Sequence, residues 1–236
     1  MPMQPERAAN PPAHQIVYER IRAMVLYGDL APGQPVTIQG LAQTVDSGMT
    51  PAREAIRRLT AEGALVMAGN RRVLVPELDA ATLEELSFLR LTVEPRLAAL
   101  ATPRISEAEI DRLEAIDTDL DRAIAEGDVG AYLRLNHAFH RLLYAHSGTR
   151  LLRDTAEALS LRAGPSLRVV CGRYGTLNLP DMHEEAVAAL RARDPEATAR
   201  AIHEDIEQGH GQIARALSSG VDSPGFDHIL PPNPNR

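Results

Sequence analysis

Two groups of side chains in this sequence have the types and spacing to do chemistry. The first is a basic face: Arg53 and Arg57 stand four residues apart and share one side of a helix, with Arg58 rotated about 100° from Arg57. Ala52, Ala55, Ile56 and Leu59 take the opposite side. Arginine can contact guanine bidentately and Thr50 suits a phosphate, so this face has the chemistry of nucleic-acid recognition. The second group is dispersed. Asn136 and His140 lie four apart in "DVGAYLRLNHAFHRLLYAHSG", His183 begins a later helix, and Asp205 falls in the last long one. Imidazole, amide and carboxylate donors together can hold a divalent metal. The same residues can equally be hydrogen-bonded polar groups of a bundle core, and spacing across distant helices does not separate the two. His137 is rotated about 100° off the Asn136–His140 face. Arg90, if buried, either pairs with an internal acid such as Glu94, four residues on, or awaits an anionic ligand.

These side chains need elements to hold them. Ile16, Val17, Ile21, Met24 and Val25 predict a helix from His14 to Tyr27 that Gly28 ends, and "GDLAPG" predicts a tight loop. A second short helix is predicted over Thr37–Val45 and a third from about Thr50 to Gly63, with Pro51 at its first position. Two β-like runs follow, Ala64–Met67 and Arg72–Val75, around the turn "AGNR". Three short helices and a two-stranded wing make a winged helix-turn-helix. From Asp79 the pattern is helical, over 80–101, 106–126, 128–147, 149–162, 165–174, 181–193 and 195–217. Ser106 with Glu109 and Asp194 with Pro195 mark helix starts, and Pro95 is expected to kink the first of these helices. The fold class is therefore mainly α: an N-terminal winged helix-turn-helix followed by an all-α bundle of six to seven helices. The expected organisation is a disordered tail over 1–12, the winged helix over 13–77, the helical domain over 78–217 and a second disordered tail over 218–236.

With 44% hydrophobic and 24% charged residues in 236, the composition is that of a globular chain with a sizeable core. No apolar run reaches the roughly 18 residues of a membrane span, and no basic flank precedes an apolar stretch at the N-terminus. One cysteine, Cys171, excludes an intrachain disulfide and a Cys-rich zinc module. These features predict a soluble, cytoplasmic protein with no membrane partner. The net charge of −7 argues against a purely electrostatic nucleic-acid binder. It is unevenly spread, however: residues 1–78 sum to +1 and the rest to −8, which suits a chain whose first part alone meets an anionic partner.

The run "YERIRAMVLYGDLAPG…LAQ…MTPAREAIRRLTAEGALV" resembles the N-terminal domain of GntR-type bacterial transcription regulators, and the helical part resembles the ligand-binding FCD domain of their FadR subgroup. The resemblance covers roughly residues 14–217. It implies a homodimer that binds a double-stranded operator through Gln39, Gly48, Met49, Thr50, Arg53, Arg57, Arg71 and Arg72. Two of these positions depart from the family: Gly48–Met49 replaces Ser or Thr then Arg, and Gln39 replaces Arg. An altered operator sequence is expected, at about 1–3 kcal/mol per bidentate contact changed.

In the helical domain the resemblance implies a divalent metal (Zn, Ni or Mn) on Asn136, His140, His183 and Asp205. Family register places the fourth ligand at Asp205 rather than His203, and two residues on a helix is about 200° of rotation. Relative to the usual set the carboxylate has moved from the first position to the fourth. Arg90 stands where the family has an arginine facing the effector cavity, which implies a small carboxylate effector. The expected function is regulation of transcription by such an acid, with repression relieved by ligand the commoner family mode. Two alternatives are a metal-free regulator of a larger acyl-type ligand and a metal-dependent enzyme fused to a DNA-binding domain. The second lacks a recognisable general base, nucleophile or phosphate loop, so no catalytic residue is expected.

Overall fold

In the computed structural model, which describes residues 12–174 and 182–218, the first core is closed by three short helices. These are α1 (Ala13–Leu26), α2 (Ile38–Thr44) and α3 (Met49–Ala61). Thr37 caps α2 by accepting from the Gly40 amide at 2.9 Å. On α3, Ala52, Ala55, Ile56 and Leu59 recur at helical spacing and are buried against Val17, Ile21 and Val25 of α1. α3 starts at Met49, so Pro51 is its third residue, where the missing N–H is still one of the unpaired first-turn donors. The wing has three strands rather than the expected two. β1 (Val36–Thr37) and β2 (Val66–Met67) both pair antiparallel with β3 (Arg72–Leu74), in the order β1-β3-β2. A two-residue strand is too short to show alternation, so β1 carried no periodic signal.

The second core belongs to α4 (Ala80–Ala101), α5 (Glu107–Glu126), α6 (Val129–Ala145), α7 (Arg150–Tyr174), α8 (Met182–Arg191) and α9 (Pro195–Ser218). Leu97, Ile110, Leu113, Phe139, Leu143, Leu190, Ile202 and Ile206 meet in it, each at most 2% exposed. The caps fall where the sequence marks them. Ser106 accepts from the Glu109 amide, Asp194 accepts from the Glu196 and Ala197 amides at 3.0 Å, and Gly127 ends α5 at φ +70°. Pro95 lies inside α4, which runs through it as one helix.

One expectation is corrected in this half. The separate helices expected over 149–162 and 165–174 are a single helix, α7, that runs through Gly164 and Pro165. Its packing on both cores holds it together where local sequence would break it. Leu161 joins the first core, and Leu159 and Ala163 pack with Leu86 of α4. The two tails expected to be disordered lie almost wholly outside the described residues.

Candidate metal centre and nucleic-acid surface

α6, α8 and α9 bring three sequence-predicted residues to one point. His140 Nε2 lies 3.1 Å from Asp205 Oδ2, and His183 Nε2 lies 3.7 Å from Asp205 Oδ1. One ligand atom from each of the three falls within 4.8 Å of the others. Both histidines are buried, and the His183 ring stacks on Phe139 with centroids 4.2 Å apart.

The far side of each imidazole is also held. His183 Nδ1 is 3.3 Å from Asp117 Oδ1 on α5. His140 Nδ1 is 3.1 Å from the Tyr144 hydroxyl, which itself donates to Glu94 Oε2 at 2.8 Å. Because the tyrosine proton is committed to Glu94, His140 Nδ1–H must be the donor to the tyrosine oxygen. Asp117 faces His183 Nδ1 as an ion-pair partner without a hydrogen bond, and its charge favours a proton on that nitrogen. Each ring then turns a lone pair on Nε2 toward Asp205, an arrangement that a proton or a cation must complete.

The donor set fits a divalent metal. Ligand atoms each about 2.0–2.1 Å from one tetrahedral ion stand about 3.3–3.4 Å apart. The 3.1 Å separation falls just inside that spacing and the 3.7 Å one just outside it, so the three side chains would close on an ion by a small shift. Burial alone would raise the Asp205 carboxyl, but His183, His140 and Arg90 outweigh it and hold it at about 2. Two imidazoles and an ionised carboxylate suit zinc, nickel or manganese.

A cavity of about 120 Å³ opens beside this cluster. Asn136 lines it one turn before His140, with Tyr132 beside it in the wall. Arg90 lines it too, but its guanidinium is committed to Glu94, through Nε–Oε1 at 2.5 Å and Nη2–Oε2 at 3.3 Å. An anion reaching Arg90 must therefore share or displace Glu94. Cys171 forms part of the wall, its thiol pushed up to about 11 by burial. His203 does not line the cavity. His137 faces away, its ring edge-on to Tyr27 of α1 at 6.1 Å; burial and then Arg22, against the pull of Glu157, lower it to about 4. Sequence reasoning missed Asp117 and Tyr144, because nothing in the order of residues places either beside its histidine.

In the first half, Gln39, Gly48, Met49, Thr50, Arg53, Arg57, Arg71 and Arg72 are all exposed. They are not equivalent. Arg57 is already paired with Glu54, Nη2–Oε1 at 2.5 Å. Arg58 lies over the Tyr18 ring at 3.6 Å and bonds Glu62, a packing role. His14, unremarked in the sequence, shares a groove with Thr50, Arg53 and Arg57. At the wing tip Asn70 and Arg71 adopt φ +44° and +58°, a turn that holds Arg71 out in solvent.

Comparisons agree with this division of the molecule. The model of bacterial regulatory proteins of the gntR family matches residues 13–75, and that of the FCD domain matches residues 85–208. The HTH-type transcriptional regulator McbR of Escherichia coli K12 is 28% identical over 187 residues, covering 77% of this chain and 83% of its own. The HTH-type transcriptional repressor RspR of the same strain is 26% identical over 209 residues, covering 86% and 90%. The solved structure of E. coli McbR/YncC superposes with a TM-score of 0.82 at 25% identity, over 88% of this chain and 99% of the other. A regulator rather than an enzyme is what these relatives describe, and no helix among the described residues is long and apolar enough to cross a membrane. The chain belongs to the gntR family of bacterial regulatory proteins and carries an FCD domain behind its DNA-binding winged helix.

Proposed function

We propose that this chain is a cytoplasmic, homodimeric regulator of the FadR subgroup. Its operator affinity is set by a small organic acid bound in the helical domain at a divalent metal. The observation that carries the reading is the buried His140–His183–Asp205 cluster opening on a cavity that Arg90 also lines. His140, His183 and Asp205 would hold the metal, with Asn136 beside them. The metal would supply a fixed positive centre able to polarise and anchor a carboxylate. The protein's own contribution is to exclude bulk water, to fix both imidazole tautomers through Asp117 and Tyr144, and to set Arg90 across the cavity as a second cation. At about 120 Å³ the cavity favours a small acid over an acyl thioester.

Operator contact would come from Thr50 and Arg53 at the start of α3, helped by Gln39, Gly48, Met49 and Arg57, with Arg71 and Arg72 on the flanking backbone. Dimerisation is supported by an apolar face of α4 and α9, where Phe88 and Leu217 stand exposed beside Leu91. Repression relieved by ligand is the mode we propose, in keeping with the repressor RspR.

The test is operator binding by fluorescence anisotropy with zinc-loaded protein and a panel of small mono- and dicarboxylates. One acid is expected to shift operator affinity by about 5–150-fold, and operator DNA must change that acid's affinity by the same factor. A panel without any shift, on protein that holds its metal, would overturn the effector reading.

A further inference from the structure

Helix α7 touches both halves of the molecule. Its first half reaches the winged helix: Leu161 enters that core, Glu157 pairs with Arg22 of α1 at 2.7 Å, and Arg162 Nη2 donates to the Glu62 carbonyl at 3.1 Å. Its second half reaches the cavity, where Leu167 and Cys171 form part of the wall beside His140, His183 and Asp205. Leu167 also packs against Gly209 of α9, 3.6 Å from where a Cβ there would lie.

Gly164 and Pro165 stand between these halves. A Cβ at Gly164 would fall 2.1 Å from the Leu26 carbonyl oxygen at the end of α1, so only glycine lets the two helices meet this closely. Pro165 has no N–H, and the carbonyl it leaves without a helical partner is that of Leu161. Sharp helix kinks fall mostly at proline, at glycine-containing pairs or where the hydrogen-bond ladder is interrupted. The weakest point of α7 therefore coincides with the seat of the winged helix.

We propose that α7 is the hinge through which the metal and effector cavity controls the winged helix. A change at the Leu167–Cys171 wall turns the second half of α7 about Gly164–Pro165 and alters how α1 is seated. The proposal rests on the cavity being the effector site. It makes a demand that reading does not: the response must pass through the contacts of α7 on the end of α1, of which Gly164 on Leu26 is the tightest, with Arg168 beside Tyr27 and Gly28 next to it.

The test is hydrogen exchange on the full chain, with zinc as the probe and zinc content measured alongside. In the unaltered protein, zinc is expected to change exchange over residues 20–28 about fivefold, within the usual range of coupling. Gly164→Ala should keep its zinc and lose that response. Pro165→Ala, which restores the missing helical hydrogen bond, should keep both fold and zinc while the response shrinks. His137→Ala removes a separate bridge from α6 to α1, the ring contact with Tyr27, and should keep the response.

Three results would overturn the hinge: zinc uptake with no change over 20–28, a full response in Gly164→Ala, or a response lost only in His137→Ala. If the unaltered chain takes up no zinc, the metal reading fails by itself. The hinge is then decided by Gly164→Ala without ligand, which should speed exchange over residues 205–212 of α9 across the cavity. Unchanged exchange there would overturn it.

Discussion

Arg53, Arg71 and Arg72 stand in solvent on a small core, whereas His140 and His183 lie inside a larger one with each ring nitrogen facing a neighbour. The DNA surface needs only a scaffold, because its charges stay hydrated until a phosphate replaces the water. The proposed metal centre cannot be built that way. A buried imidazole or carboxylate is costly unless it is met by charge or hydrogen bond, so each side chain of the cluster recruits a partner and each partner another, although Asp117 Oδ1 and His183 Nε2 are met by charge alone. The chain Arg90–Glu94–Tyr144–His140–Asp205–His183–Asp117 is the result, and it crosses five helices. Substitutions on the surface should change function without stability, and those in the interior should change both.

The largest break in that contrast is expected at Glu94, which is 1% exposed. Glu94→Ala strands the Arg90 guanidinium and the Tyr144 hydroxyl in the interior. It should cost about 3–5 kcal/mol of unfolding free energy by denaturant titration. Arg53→Ala on the surface should leave the melting curve unmoved while operator affinity falls about 10–100-fold. Loss of stability without loss of binding would reverse the comparison. Asp117→Asn keeps the shape but weakens the acceptor behind His183, so zinc affinity should fall about 10–100-fold by competition titration.

The smallest effect concerns His210, a buried residue of α9 whose ring nitrogens find no partner among the described residues. Burial and then Arg90, opposed by Glu94, lower it to about 4. Between pH 6.5 and 4 the unfolded chain takes up a proton that the folded one refuses. Its contribution is therefore complete above about pH 6.5 and lost as the pH falls through this window, by an amount on the order of 1–2 kcal/mol. His210→Gln should reduce that slope and leave the part that His137, also lowered to about 4, contributes in the same window. A variant with an unchanged slope would remove His210 as a source.

Legibility in the sequence follows the same divide. Helix α4 is found over the range its periodicity marks, and the caps at Ser106 and Asp194 are local chemistry that any reading of order can see. The basic face of α3 was visible because Arg53 and Arg57 lie one turn apart. The Glu54–Arg57 pair, three residues apart on the same helix, is an exposed contact that a phosphate can replace. Register on α9 was legible only through the family resemblance, which points to Asp205; helix geometry adds that His203, two residues away, cannot share its face. The orienting partners were not legible: Tyr144 and Glu94 stand 50 residues apart and meet only through packing of α6 on α4. The unbroken α7 was hidden for a related reason. Gly164–Pro165 is a helix-breaking signal that tertiary contact with α1 and α4 overrides.

The most direct test of the metal centre is elemental analysis of metal per chain in the unaltered protein and in two single variants on the same helix. The account predicts about one divalent ion in the unaltered chain and in His203→Ala, and a clear loss in Asp205→Ala. Metal lost in His203→Ala and retained in Asp205→Ala would contradict it, as would an unaltered chain that stays empty after incubation with zinc, nickel and manganese.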